Sequence, residues 1–126
     1  LVASLLGHKL SVISPTKKTA RQVELHAREL GIEERLASVV GLEIPVLELE
    51  KNEEKTINAV VRASEKAVED GAEVIVLGCT GMAYMAEEIR KRLKVPLIEP
   101  ASLALKIAEA LVDLKLKHSK VALYKA

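Results

Sequence analysis

The single cysteine, Cys79, lies in Val74-Ile75-Val76-Leu77-Gly78-Cys79-Thr80-Gly81-Met82, an apolar run that ends in a glycine-flanked turn. The apolar residues read as a buried strand, and a helical segment follows the turn. This places a thiol at the carboxyl end of a strand, where the next helix begins. Helix N-termini carry free N–H groups and partial positive charge, which favour a thiolate. A thiolate can act as a nucleophile or as a base that removes a proton from carbon. The alternative is that Cys79 is a small buried hydrophobe, kept as the thiol by apolar surroundings. The flanking glycines favour the chemical reading, because glycine lets backbone approach a ligand closely.

No other residue set offers comparable chemistry. His8, His26 and His118 are scattered along the chain without metal-ligand spacing, and one cysteine adds no zinc pattern. They read as surface residues, and no metal is expected. There is no Gly-x-Gly-x-x-Gly fingerprint and no Walker loop, so no nucleotide cofactor is expected. Lys17, Lys18 and Arg21 form a small basic cluster that reads as a solvated face. Tyr84 and Met85 read as packing residues. Glu99 follows the last strand and reads as solvated beside Pro100 rather than as lining a pocket.

Composition narrows the setting. With 126 residues the chain can bury one real core. The net charge of +1 gives no general pull toward nucleic acid or an anionic membrane. No apolar run reaches the roughly 18 residues that span a bilayer. One cysteine forms no internal disulfide, which fits a reducing compartment, the cytoplasm. There is no Phe or Trp, and charged residues are abundant, as in thermophile proteins. Residues 1–7 read as the last turns of a preceding helix closed by Gly7. Residues 8–116 then form an α/β domain and 117–126 a tail. This organisation points to a piece of a longer chain.

Alternation of elements positions the turn. Leu10 to Ile13 is a short strand. Ser14 offers an N-cap oxygen, and Pro15 suits the first helical position. Ala20, Val23, Ala27 and Leu30 repeat at helical spacing up to Gly31. Ala37 to Leu42 is a second strand, stopped before Pro45. Glu48 to Lys55 reads as a solvated loop with Asn52 capping the helix that follows. Ile57, Val60, Val61, Ser64, Ala67 and Val68 form that helix's inward stripe, and Gly71 ends it. Glu73 to Leu77 is the third strand, Met82 to Leu93 a helix and Val95 to Ile98 a fourth strand. Leu103, Ile107, Leu111 and Leu114 predict a strongly amphipathic last helix. Val121 to Tyr124 could pair as a strand or dock elsewhere.

Such alternation implies right-handed crossovers and a four-stranded parallel sheet flanked by helices. The common strand order 2-1-3-4 would put strands one and three side by side, with their connections leaving in opposite directions. The crevice at their carboxyl ends would then be lined by Ser14, Pro15 and Thr16 from one turn and Gly78, Cys79, Thr80 and Gly81 from the other. Ser14 and Thr16 are capping residues in any case; binding a small-molecule substrate would be an added role. Two helix starts facing one crevice suit an anionic or enolate-like group.

At Val74 to Met82 the sequence resembles the aspartate/glutamate racemase superfamily, and most closely the hydantoin racemases. The resemblance extends through the Ser-Pro-Thr turn, the segment Val95-Pro96-Leu97-Ile98-Glu99-Pro100 and the Ala/Leu-rich helix after it. Glutamate racemases typically carry His after Gly-Cys-Thr; Gly81 stands there in this chain, as in the hydantoin branch. The resemblance implies two similar α/β domains with the active site between them, catalysis without cofactor or metal, and a homo-oligomer. It also implies a pair of cysteines flanking the substrate's α-carbon: one thiolate removes the proton and the other thiol returns it to the opposite face. Cys79 would be one of the pair, with Gly78, Thr80, Gly81 and Ser14 to Thr16 binding the hydantoin's polar edge. The partner cysteine, which the family carries in its other domain, is absent. On this reading the chain alone is inactive and needs a companion domain of the same polypeptide. Two alternatives stay open: a single-cysteine enzyme similar to the arylmalonate decarboxylases, and a non-catalytic small-molecule binding module.

Overall fold

The computed structural model describes residues 1–121 and 123–125. Four parallel strands form one sheet, as the alternation predicts, in the common doubly wound order β2-β1-β3-β4: β1 (Leu10–Ser14), β2 (Leu36–Gly41), β3 (Val74–Leu77) and β4 (Leu97–Ile98). The helices are α1 (Ala3–Leu6), α2 (Lys17–Glu29), α3 (Glu53–Glu69), α4 (Ala86–Arg92) and α5 (Pro100–Asp113). Residue alternation along the strands splits the core into two layers. Ile13, Ile75, Leu77 and Leu97 face α3 and α4; Ile57 and Val60 of α3, Ile89 of α4 and Met82 and Met85 from the turn before α4 complete the larger layer. Leu10, Val12, Val74 and Ile98 face the other way, toward Ala3 of α1, Val23 of α2 and Leu103 of α5. Each fully buried Ile or Leu of the larger layer contributes about 1.5–3 kcal/mol, so this side anchors the fold.

Several boundaries differ from the sequence reading for identifiable reasons. Ser14 does not cap a helix; it is the last residue of β1 and fully buried. A residue before proline is steered away from helical backbone toward extended, so Pro15 lengthens the strand by one residue. Thr16 takes the cap instead, its hydroxyl accepting from Thr19 N at 3.2 Å while Thr16 N donates to Thr19 Oγ1. β4 starts only at Leu97, because Pro96 has no N–H to donate; its carbonyl accepts from Ile75 N at 2.9 Å. The helix expected over 82–93 is divided, with a 3-10 segment at Thr80–Met85 followed by α4.

Asn52 caps α3 as expected, through Lys55 N at 3.1 Å. The stretch before it is tied down rather than freely solvated: Leu49 is buried in the larger layer, and its carbonyl accepts from the Thr56 hydroxyl at 2.9 Å. Gly31 and Gly71 end α2 and α3 with left-handed backbone, φ 67° and 105°, which glycine adopts without penalty. Gly7 closes α1 in extended backbone. Tyr84 is exposed rather than packed, while Met85 is buried. No residue of α5 is fully buried, and only Leu103 packs against the sheet. The expected amphipathic docking of α5 is therefore not made within this chain. Val121 to Tyr124, left open between pairing as a strand and docking elsewhere, includes Ala122, which lies outside the described residues; Val121 lies in a bend and Leu123 and Tyr124 in a turn. No helix is long and apolar enough to cross a membrane among the described residues.

Candidate functional site at the carboxyl edge of the sheet

The order β2-β1-β3-β4 brings the turn after β1 beside the turn after β3. Gly78 N donates to Ile13 O at 2.8 Å, continuing the β1–β3 ladder one residue past β3. Gly78 is required there: a Cβ would fall 2.3 Å from Ser14 Oγ and 3.1 Å from Ile13 O. Cys79 follows in extended backbone (φ −151°, ψ 132°), and its carbonyl accepts from Met82 N at 3.1 Å. The 3-10 segment thus begins directly after the cysteine, and the N–H groups of Thr80 and Gly81 have no partner within it.

Cys79 is half-buried against the larger core layer. A Cβ at Gly81 would stand 3.4 Å from both Cys79 Sγ and Leu49 Cδ1, and 3.9 Å from Val46 Cγ1. The thiol is therefore bordered by Gly81 and by the loop between β2 and α3. Thr80 is exposed, and Gly78 and Gly81 are half-buried.

The β1–α2 turn is more closed than expected. Ser14 and Pro15 are fully buried, and their carbonyls accept from Leu42 N and Ile44 N, each at 2.9 Å. Ser14 Oγ has no hydrogen-bond partner. Thr16 is half-buried, with its hydroxyl engaged in the capping box. Lys17 N donates to Glu43 Oε1 at 3.0 Å, and Glu43 reaches it from left-handed backbone, φ 57°. The start of α2 is thus largely capped by its own chain. Free donors at this edge come mainly from the Cys79 turn. A Cβ at Gly41 would fall 2.6 Å from Lys17 N, so glycine permits β2 and the start of α2 to meet.

Glu99 was missed as a structural residue. It is buried at the end of β4, and its carboxylate caps α5, accepting from Ala101 N at 2.6 Å and Ser102 N at 2.7 Å. Burial alone would raise its pKa, but hydrogen bonds from Ser102 and Ala101 and the charge of Arg90 hold it below the ordinary value. The sequence did carry a signal: an oxygen-bearing side chain just before a proline at the first helical position. No comparable signal marks Glu43. Tyr84, in the 3-10 segment, has its phenol pKa raised by partial burial and then by Glu50 and Glu53. The histidines are all exposed; Arg35 contacts His8 Nδ1 at 2.9 Å, and His118 stacks edge-on with Tyr124. No group of three or more metal-ligating side chains occurs among the described residues.

The comparisons with known proteins agree with this geometry. Residues 1–108 match the family model Asp/Glu/Hydantoin racemase. A hydantoin racemase from Pseudomonas sp. is 34% identical over 98% of this chain and 50% of its own length. One from Rhizobium meliloti is 34% identical over 98% of this chain and 52% of its own. An allantoin racemase structure from Pseudomonas fluorescens superposes with a TM-score of 0.89 at 42% identity, covering 96% of this chain and 52% of that one. One from Klebsiella pneumoniae gives 0.90 at 30% identity, covering 96% and 50%. The chain spans about half the length of these relatives. Fold, strand order, the Gly-Cys-Thr-Gly turn and the family match converge: this chain belongs to the Asp/Glu/hydantoin racemase family.

Proposed function

We propose that this chain is the Cys79-bearing half of a cofactor-independent racemase acting on 5-monosubstituted hydantoins. The observation that carries the reading is the placement of Cys79 at the carboxyl edge of a parallel sheet, beside β1, in a chain of this family. Inversion at carbon needs a base on one face and an acid on the other. Cys79, as thiolate, would take the α-proton, and the electron pair left on carbon would delocalise into the neighbouring ring carbonyl as an enolate. The N–H groups of Thr80 and Gly81 would stabilise that oxygen. A second thiol on the opposite face would then return a proton to carbon. In the reverse direction the two groups exchange roles.

The second thiol comes from outside these residues, since Cys79 is the only cysteine; a companion domain of the same polypeptide is its proposed source. The chain alone would therefore not racemise. Gly81 would keep the approach to Cys79 free of a side chain, and Gly78 fits the turn against Ser14. Thr16, half-buried at the same edge, would border the substrate's polar edge, and the buried Ser14 and Pro15 would back it. The relatives named allantoin racemase and hydantoin racemase share a cyclic ureide as substrate, which supports this substrate class.

Optical rotation of each enantiomer of a 5-monosubstituted hydantoin, incubated with the full-length gene product, tests the reading. Decay of both signals to zero is expected. Stable rotation across several side chains, with Cys79 still alkylated readily, would favour the single-cysteine decarboxylase; an inert Cys79 would favour a binding module.

A further inference from the structure

Cys79 Sγ has an apolar neighbour that the proposed proton transfer does not use. The point where a Cβ on Gly81 would stand lies 3.4 Å from Cys79 Sγ and 3.9 Å from Val46 Cγ1. The thiol and Val46 are thus near neighbours, and Gly81 has no side chain to stand between them. Val46 is 46% exposed and Leu47 after it 88%. Two large apolar residues therefore face solvent on the stretch of loop that borders the thiol. The carboxylates of the same loop are engaged elsewhere: Glu43 accepts from Lys17 N at 3.0 Å, and Glu48 lies 3.7 Å from Lys51 Nζ.

Val46 stands on a turn held at both ends. Before it, Ile44 N donates to Pro15 O at 2.9 Å, and Pro45 fixes the backbone entering the 3-10 segment Val46–Glu48. After it, Leu49 N donates to Val46 O at 3.3 Å, and Leu49 itself is buried, with its carbonyl bonded to the Thr56 hydroxyl. The branched side chain has few rotamers of its own. Such a residue is a fixed wall rather than a mobile flap.

We propose that Val46 determines which 5-substituents the site accepts, an inference that rests on the racemase reading. For the thiolate to take the proton, C5 of the hydantoin must come about 3–3.5 Å from Sγ. The other groups on C5 are the ring carbonyl carbon, the ring nitrogen and the substituent. The surroundings of the thiol sort them by polarity. The carbonyl goes to the N–H groups of Thr80 and Gly81, and the substituent to the apolar side, where Leu49 and Val46 stand. Each further carbon extends the substituent by about 1.5 Å, so two or three carbons bring it against Val46. A wall at that position discriminates by size.

The test is kcat/KM for racemisation of 5-isopropylhydantoin and 5-benzylhydantoin by the full-length gene product, as wild type and with Val46→Ala or Val46→Leu. Val46 is half-exposed, so both variants should keep the wild-type circular dichroism. Val46→Ala should raise the benzyl-to-isopropyl ratio by about 10-fold, the lower end of what a change of one methylene does in an apolar pocket. Val46→Leu should lower it by a similar factor. Opposite shifts identify a wall; general damage to the loop would slow both substrates alike and leave the ratio where it was. Unchanged ratios, or ratios moved the same way by both variants, in an enzyme that racemises both substrates, overturn the role of Val46 and leave the racemase reading standing. Racemisation of neither substrate by the wild type overturns both.

Discussion

The hydroxyl of Ser14 occupies the space that a side chain at position 78 would need: a Cβ on Gly78 would fall 2.3 Å from Ser14 Oγ. The two residues lock the turn after β3 onto the end of β1 and so fix where Cys79 begins. Gly78→Ala is expected to destabilise the fold by about 1–3 kcal/mol, the usual cost of overpacking. Ser14→Ala removes the obstructing oxygen, so the double variant should recover part of that loss, with a coupling of about 0.5–3 kcal/mol in denaturant unfolding. Strictly additive losses would contradict the contact.

Gly81 tests access to the thiol rather than packing. A Cβ there meets Cys79 Sγ and Leu49 Cδ1 at ordinary contact distance, 3.4 Å. Gly81→Ala should therefore fold with a stability within about 1 kcal/mol of wild type but alkylate more slowly at Cys79. Iodoacetamide labelling against time measures this; unchanged labelling would show that the thiol is approached from another side.

The cap of α2 distinguishes two neighbouring residues. Thr16→Ala should cost about 0.5–2 kcal/mol, the range for loss of an N-cap. Ser14→Ala loses no hydrogen bond, because Ser14 Oγ makes none, and should be neutral or mildly stabilising. The reverse order in thermal melts would restore Ser14 as the cap.

Glu99 gives the fold a pH dependence of defined sign. Its pKa is lowered in the folded chain, so the folded state favours the carboxylate. The resulting stability is fully present above the ordinary value of about 4.5 and is lost as the pH falls through the lower folded value. Glu99→Gln should flatten that acid limb and cost about 1.5–3 kcal/mol at neutral pH, the range for a hydrogen bond to a charged group. Urea unfolding at a series of pH values compares the two proteins; parallel acid limbs would show that the cap does not titrate as described.

The strands and the Cys79 turn are legible in the sequence because they follow from strong local signals, apolar runs of strand length and glycines; the sheet order comes from the common doubly wound topology, not from any residue. The sequence reading misplaced the start of α2 because a proline both suits a first helical turn and forces its predecessor to stay extended, and at Ser14-Pro15 the second effect prevails. It missed Glu99 although the signal is local, a carboxylate just before a proline at the first helical position, and it missed Glu43 because that residue acts across a turn whose shape is set by packing. It predicted α5 as an inward-docking helix from a real apolar stripe, but a stripe does not specify which surface receives it, and this chain's own sheet receives only Leu103.

The central claim is that Cys79 moves the α-proton. The most direct measurement is deuterium uptake at C5 of each enantiomer of a 5-monosubstituted hydantoin in deuterated water, followed by NMR with the full-length gene product and its Cys79→Ser variant. The account predicts catalysed exchange with loss of optical activity in step, and loss of racemisation in a variant that keeps its fold. Near-wild-type turnover by Cys79→Ser, or no exchange above the spontaneous rate across several side chains, would contradict it.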